Sequence, residues 1–177
     1  MLFRSARAFD RDRKGPIGYG PIRLLEKTPK NALRVPFLAE AFPDGVFVFL
    51  YRDPKAVISS MIDAWTSGRF VTYRELPGWG TAPWSLLLPP GWKNWRGMTY
   101  GEVAARQWCS TMTTLLDGLE QLDPTRWMVV RHEELLDDHN GTATRLCERL
   151  GFEWDRPVLG ALPEAAHTLD TPAPDKW

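Results

Sequence analysis

The chain has 177 residues, 44% of them hydrophobic and 25% charged, with 22 basic and 22 acidic side chains that cancel to a formal net charge of zero. That is enough chain for one ordinary globular domain, spanning 1–177, and its neutral balance excludes the field that would gather nucleic acid or anionic membrane. No apolar run approaches the ~20 residues of a membrane span and no signal-peptide core is present, while Cys109 and Cys147 sit in helical patterns, so the sequence reads as a cytoplasmic protein with reduced thiols.

Residues 1–21 are basic and then rich in Gly and Pro, a lead-in without a dinucleotide fingerprint or a Walker loop. Ile22–Glu26 (IRLLE) reads as a short strand that delivers Lys27 and Thr28 to its end. Pro36 suits the first residue of a short helix ending before Pro43, whose core face is Leu33, Phe37 and Ala41 with Leu38 and Phe42 alongside. Residues 45–51, GVFVFLY, are an unbroken apolar run, predicted as a parallel strand covered on both faces. Asp53 and Pro54 supply an N-cap and a first helical residue for a helix to about Thr66, which packs through Val57, Ile58, Met61, Ile62 and Trp65. Arg52 then lies at the carboxyl end of a strand and beside a helix N-terminus, the place where open α/β folds hold anions. Ser60 projects from the same helical face as the cap, two turns on, so Arg52 and Ser60 form a candidate phosphate clamp.

Residues 68–98 carry Trp79, Trp84, Trp92 and Trp95 among many prolines and glycines. So long an irregular stretch is either a lid walling an acceptor site or a packed excursion that touches no ligand. Thr99 and Glu102 form a capping box for a helix to about Leu122, with Val103, Trp108, Met112, Leu115 and Leu119 on its buried side. Asp123-Pro124 stops it, residues 126–131 form a strand, a helix runs from about Asp138 to Leu150, and 155–177 is an irregular tail. His132, His139 and His167 show no ligand spacing, so no metal site is expected. The fold class is α/β: a three-layer sandwich on a short parallel sheet of about 22–26, 46–51 and 126–131, like the P-loop superfamily.

Lys27-Thr28-Pro29, Arg52-Asp53-Pro54, Ser60 and Arg131-His132-Glu133-Glu134-Leu135 together resemble the core of the sulfotransferases that use 3′-phosphoadenosine 5′-phosphosulfate (PAPS). The resemblance implies that Arg52 and Ser60 hold the 3′-phosphate of PAPS. His132 stands where the family has a nucleotide-contacting Tyr, and Lys176 beside Trp177 corresponds to a phosphate-holding Lys. Lys27 would lie in the active-site cleft; otherwise it is a surface charge paired with Glu26. Pro29 occupies the place of the His that serves some members as base. Nothing in residues 1–21 resembles the family's Gly-rich 5′-phosphosulfate loop, so the chain reads as a sulfotransferase core trimmed at both ends. Two functions follow: sulfuryl transfer to a hydroxyl or amine on a small molecule, carbohydrate or lipid, or a non-catalytic nucleotide-binding or interaction module. An absent N-terminal strand would bare apolar surface and favour a homodimer.

Overall fold

The computed structural model describes residues 24–152 together with 154, 157 and 160. The basic lead-in and, apart from Pro157 and Gly160, the 155–177 tail with Lys176 lie outside the described residues.

The central element is β1, Phe47–Tyr51, which pairs in parallel with β4, Trp127–Arg131, in a register that sets Phe47 against Trp127 and Tyr51 against Arg131. Parallel pairing needs a long crossover, and here it is supplied by three units. These are α2 (Pro54–Ser67), a small antiparallel pair of β2 (Val71–Tyr73) and β3 (Trp84–Ser85), and α3 (Tyr100–Glu120). Before β1 lie a 3-10 turn, Pro29–Leu33, and α1, Val35–Ala41; after β4 come α4, His132–Asp137, and α5, His139–Arg149. No helix of the described residues is long and apolar enough to cross a membrane.

The helix signals in the sequence act as local physics requires. The Asp53 carboxylate accepts from the backbone amides of Lys55 and Ala56 at 2.8 and 3.2 Å, Pro54 opens α2, and Gly68 ends it in the left-handed region at φ 64°. The Thr99–Glu102 capping box closes in both directions and starts α3. Asp138 does double duty: it terminates α4 and its side chain caps α5 through the Gly141 amide at 2.8 Å. The single helix expected from Asp138 is therefore preceded by a six-residue helix, because His132 onward turns helical as soon as β4 ends.

Two cores hold the chain. Val35, Leu115 and Leu119 are buried together, with Phe47, Phe49 and Trp127 of the sheet packed on them. Gly118 makes the close approach of α3 to α1, since a Cβ there would lie 2.9 Å from Val35 Cβ. The second core is aromatic: Trp65, Trp79, Trp84 and Trp95 with Val103 and Ala104. Trp84 is completely buried, with Trp79 edge-on at 4.7 Å and Trp65 edge-on at 5.2 Å between centroids. Three of the four tryptophans of residues 68–98, Trp79, Trp84 and Trp95, are thus buried in this core.

Three expectations are corrected. Leu24–Glu26 form no strand, and among the described residues the parallel sheet has two strands rather than three. Leu24 and Leu25 are 63% and 87% exposed, so an extended segment there gains little burial, and Ile22 and Arg23 lie outside the described residues. β1 is covered on one face only: Phe47, Phe49 and Tyr51 are half-buried, whereas Val48 and Leu50 opposite are 39% and 49% exposed. The core contact of α1 is Val35, not the Phe37 face, because α1 meets α3 at its first residue and Phe37 stays 66% exposed.

Candidate functional site

The parallel register decides which side chains meet at the carboxyl edge of the sheet. Tyr51 faces Arg131, so the next positions place Arg52 beside His132 and Asp53 beside Glu133. A hydrogen bond shows that the alignment continues past the strands: the Asp53 amide donates to Glu133 Oε1 at 3.0 Å across 80 residues of sequence. Arg52 is half-buried at the junction of β1 and α2, and His132 is half-buried at the start of α4. Arg131 points elsewhere, over the Tyr51 ring at 5.9 Å and toward Glu134 at 3.9 Å.

The electrostatics report the same cluster. Burial pushes the His132 imidazole below its ordinary value, the Arg52 charge lowers it further, and Glu133 opposes. The ring is thus held toward its neutral form beside a permanent cation. The Glu133 carboxyl lies below the usual carboxylate range, chiefly because the Asp53 amide donates to it and secondarily because its own backbone amide does. The bond favours the ionised form, so a fixed negative charge sits behind the turn that carries Arg52.

Ser60 lies on α2, exposed, about 9 Å along the axis from the first helical residue. With Asp53 as the N-cap, the 3.6-residue period keeps Ser60 on the cap's face of the helix. Lys27 is exposed ahead of the 3-10 turn. Glu26 accepts instead from the Asn31 side-chain amide, and among the described residues no ion pair joins Glu26 to Lys27. The structure therefore brings Arg52 and His132 together, sets Ser60 on the helix that leaves them, and leaves Lys27 without the strand that was expected to carry it there. Lys176 lies outside the described residues.

Two residues with structural weight, Glu133 at this site and Gln107 in the aromatic core, escaped sequence reasoning. Glu133 was legible only as a member of a motif; its partner follows from strand register, which one sequence does not display. Gln107 is fully buried, accepts from Trp65 Nε1 at 3.0 Å and donates to the carbonyls of Ser85 and Leu87. It joins α2, α3 and the aromatic core, and a polar residue on the Val103–Thr111 stripe was its signal. A shallow cleft of about 420 Å³ opens between Glu75, Leu76, Pro77, Gly78, Gly80 and Arg96, and shares no residue with the Arg52 cluster. The described residues contain no group of His, Cys, Asp and Glu able to hold a metal ion.

Fold and site define an α/β protein with a cationic turn where a parallel strand passes into a capped helix. The chain belongs to the sulfotransferase family, whose model matches residues 6–156. It is 27% identical over 129 residues to the omega-hydroxy-beta-dihydromenaquinone-9 sulfotransferases of Mycobacterium bovis and Mycobacterium tuberculosis. The match takes in 73% of this chain and 29% of each relative, so the chain spans under a third of their length. Among solved structures it is similar to the sulfotransferase domain from the curacin biosynthetic pathway, with a TM-score of 0.55 and 22% identity over 76% of this chain and 41% of that one. That likeness is one of fold.

Proposed function

We propose that the chain carries the donor-nucleotide site of a sulfotransferase that moves a sulfuryl group from PAPS to a hydroxyl or amine acceptor. Arg52 and Ser60 grip the 3′-phosphate, and His132 lies against the nucleotide. The observation that carries this reading is the junction of β1 and α2: a half-buried Arg at the carboxyl edge of a parallel sheet, followed by a capped helix whose exposed Ser60 shares the cap's face. A helix N-terminus and a guanidinium are complementary to a dianionic phosphate, and the turn that carries both is held by the Asp53 cap and its bond to Glu133.

In the transfer itself the acceptor oxygen or nitrogen attacks sulfur, the bond from sulfur to the 5′-phosphate oxygen breaks, and 3′,5′-adenosine bisphosphate leaves as the acceptor loses its proton. Lys27 is assigned to neutralising charge on the leaving phosphate, and Lys176 to a phosphate contact. The acceptor class follows the mycobacterial relatives, whose names specify an omega-hydroxy-beta-dihydromenaquinone-9; an alcohol on a small or lipid-like molecule is the corresponding choice here. Incubating the chain with PAPS and a panel of long-chain and aromatic alcohols, with sulfated product read by mass spectrometry, tests the transfer. Product that disappears with Lys27→Ala supports it. Nucleotide binding with no product from any acceptor leaves the second reading, a nucleotide-binding module without catalysis.

A further inference from the structure

We propose that Glu133 is the positioning residue of this site: its carboxylate accepts the Asp53 amide and so fixes the turn that carries Arg52 and opens α2. The inference rests on the nucleotide reading above and adds to it a residue that touches no ligand.

Asp53 is the N-cap, one residue outside the helical ladder, and β1 has ended two residues earlier at Tyr51. Its amide therefore has neither a helical nor a strand acceptor, and Glu133 Oε1 at 3.0 Å fills that place. The Asp53 side chain is already committed to the amides of Lys55 and Ala56. One residue is thus held from both sides, its carboxylate by the start of α2 and its amide by the start of α4. Arg52 immediately precedes it and inherits its placement.

Glu133 is half-buried. Its second oxygen, Oε2, is shielded from solvent and has no hydrogen-bond partner among the described residues, so Oε1 carries the carboxylate's long-range hydrogen bond to the turn. Its carboxyl lies below the usual range chiefly because the Asp53 amide donates to it, against the opposing effect of burial. Arg131 could compete for it but is engaged with Glu134 and the Tyr51 ring. Since Arg52 and His132 are neighbours in the strand register, a slip of the β1–α2 turn would part them, and the Glu133 bond spans the register at the next position.

The test titrates 3′,5′-adenosine bisphosphate into the wild-type chain, Glu133→Ala, Glu133→Gln and Arg52→Ala, and measures exchange of the Asp53 amide by NMR in the unliganded proteins. Gln keeps a carbonyl oxygen where Oε1 lies, so it retains the acceptor and loses only the charge. Ala should weaken binding about tenfold, equivalent to ~1.4 kcal/mol, and speed Asp53 exchange, while Gln restores both. A purely structural role would lower thermal stability without separating Ala from Gln in affinity measured below the melting range. Wild-type affinity in Glu133→Ala, with Arg52→Ala unable to bind, overturns the inference and spares the nucleotide site. Equal loss in Ala and Gln overturns it as well. If the wild type binds no nucleotide, the donor reading fails by itself and the exchange data decide: unchanged Asp53 exchange in Glu133→Ala overturns the clamp, and loss restored by Gln upholds it. Should Glu133→Ala not fold, Glu133→Gln decides: wild-type affinity and Asp53 protection support the clamp, and their loss overturns it.

Discussion

Gln107 shows what a single buried amide can do in this chain. Its side chain accepts from the Trp65 indole, donates to the Ser85 carbonyl, and shares the Leu87 carbonyl with the Trp84 indole, inside the aromatic core. Gln107→Leu keeps the volume and removes every one of those bonds. Each unsatisfied buried group costs about 1–3 kcal/mol, so we expect a loss of about 3 kcal/mol, read as a lower urea midpoint at unchanged slope. A change under about 1 kcal/mol would mean that the core relaxes around the defect. At this scale the sequence was uneven. The Asp53-Pro54 cap, and with it the places of Arg52 before α2 and Ser60 on it, was legible because it is a local fact. Gln107 was not, because its partners lie 42 and 20–22 residues away and only the folded chain brings them within reach.

Among the elements, helices were easier to read than strands. α2 and α3 carry their own boundaries in Asp53-Pro54, Gly68 and the Thr99–Glu102 box, and the structure uses each of them. A strand has no such internal marks: Leu24–Glu26 have strand composition but no ladder partner among the described residues, and GVFVFLY is as apolar as a doubly covered strand although Val48 and Leu50 on one face are exposed. The pairing of α1 with α3 was also hidden, since it depends on Gly118 lying against Val35 and Pro36. Gly118→Ala introduces a Cβ 2.9 Å from Val35 Cβ and 3.3 Å from Pro36 Cδ. Ala is the better helix former by about 1 kcal/mol, yet overpacking at backbone-anchored neighbours costs about 1–3 kcal/mol. We expect net destabilisation, with a lower melting temperature by differential scanning calorimetry. A rise would show that α1 swings away freely.

For the molecule as a whole, titration ties stability to the candidate site. Folded His132 resists protonation below its ordinary value of 6.5, whereas the unfolded chain accepts the proton there. Stability from this group is therefore complete above pH 6.5 and declines as the pH falls below it. Glu102, Glu133 and Asp123 are depressed from 4.5, 4.5 and 3.8 by hydrogen bonds from Thr99, Asp53 and Thr125, so their contributions hold above those values and are lost at more acid pH. The melting temperature should fall in two stages on acidification, one below pH 6.5 and a steeper one below 4.5. His132→Gln should flatten the first stage alone; a mutant that keeps both stages would place the upper proton elsewhere.

The central claim is that a donor nucleotide binds at the junction of β1 and α2, and calorimetric titration with 3′,5′-adenosine bisphosphate addresses it most directly. The native chain should give a saturable isotherm, and ligand at 100 times its dissociation constant should stabilise the fold by ~2.7 kcal/mol. Arg52→Ala, folded to the same melting temperature within a few degrees, should show neither. Binding that survives Arg52→Ala, or its absence from the folded native chain, would contradict the account.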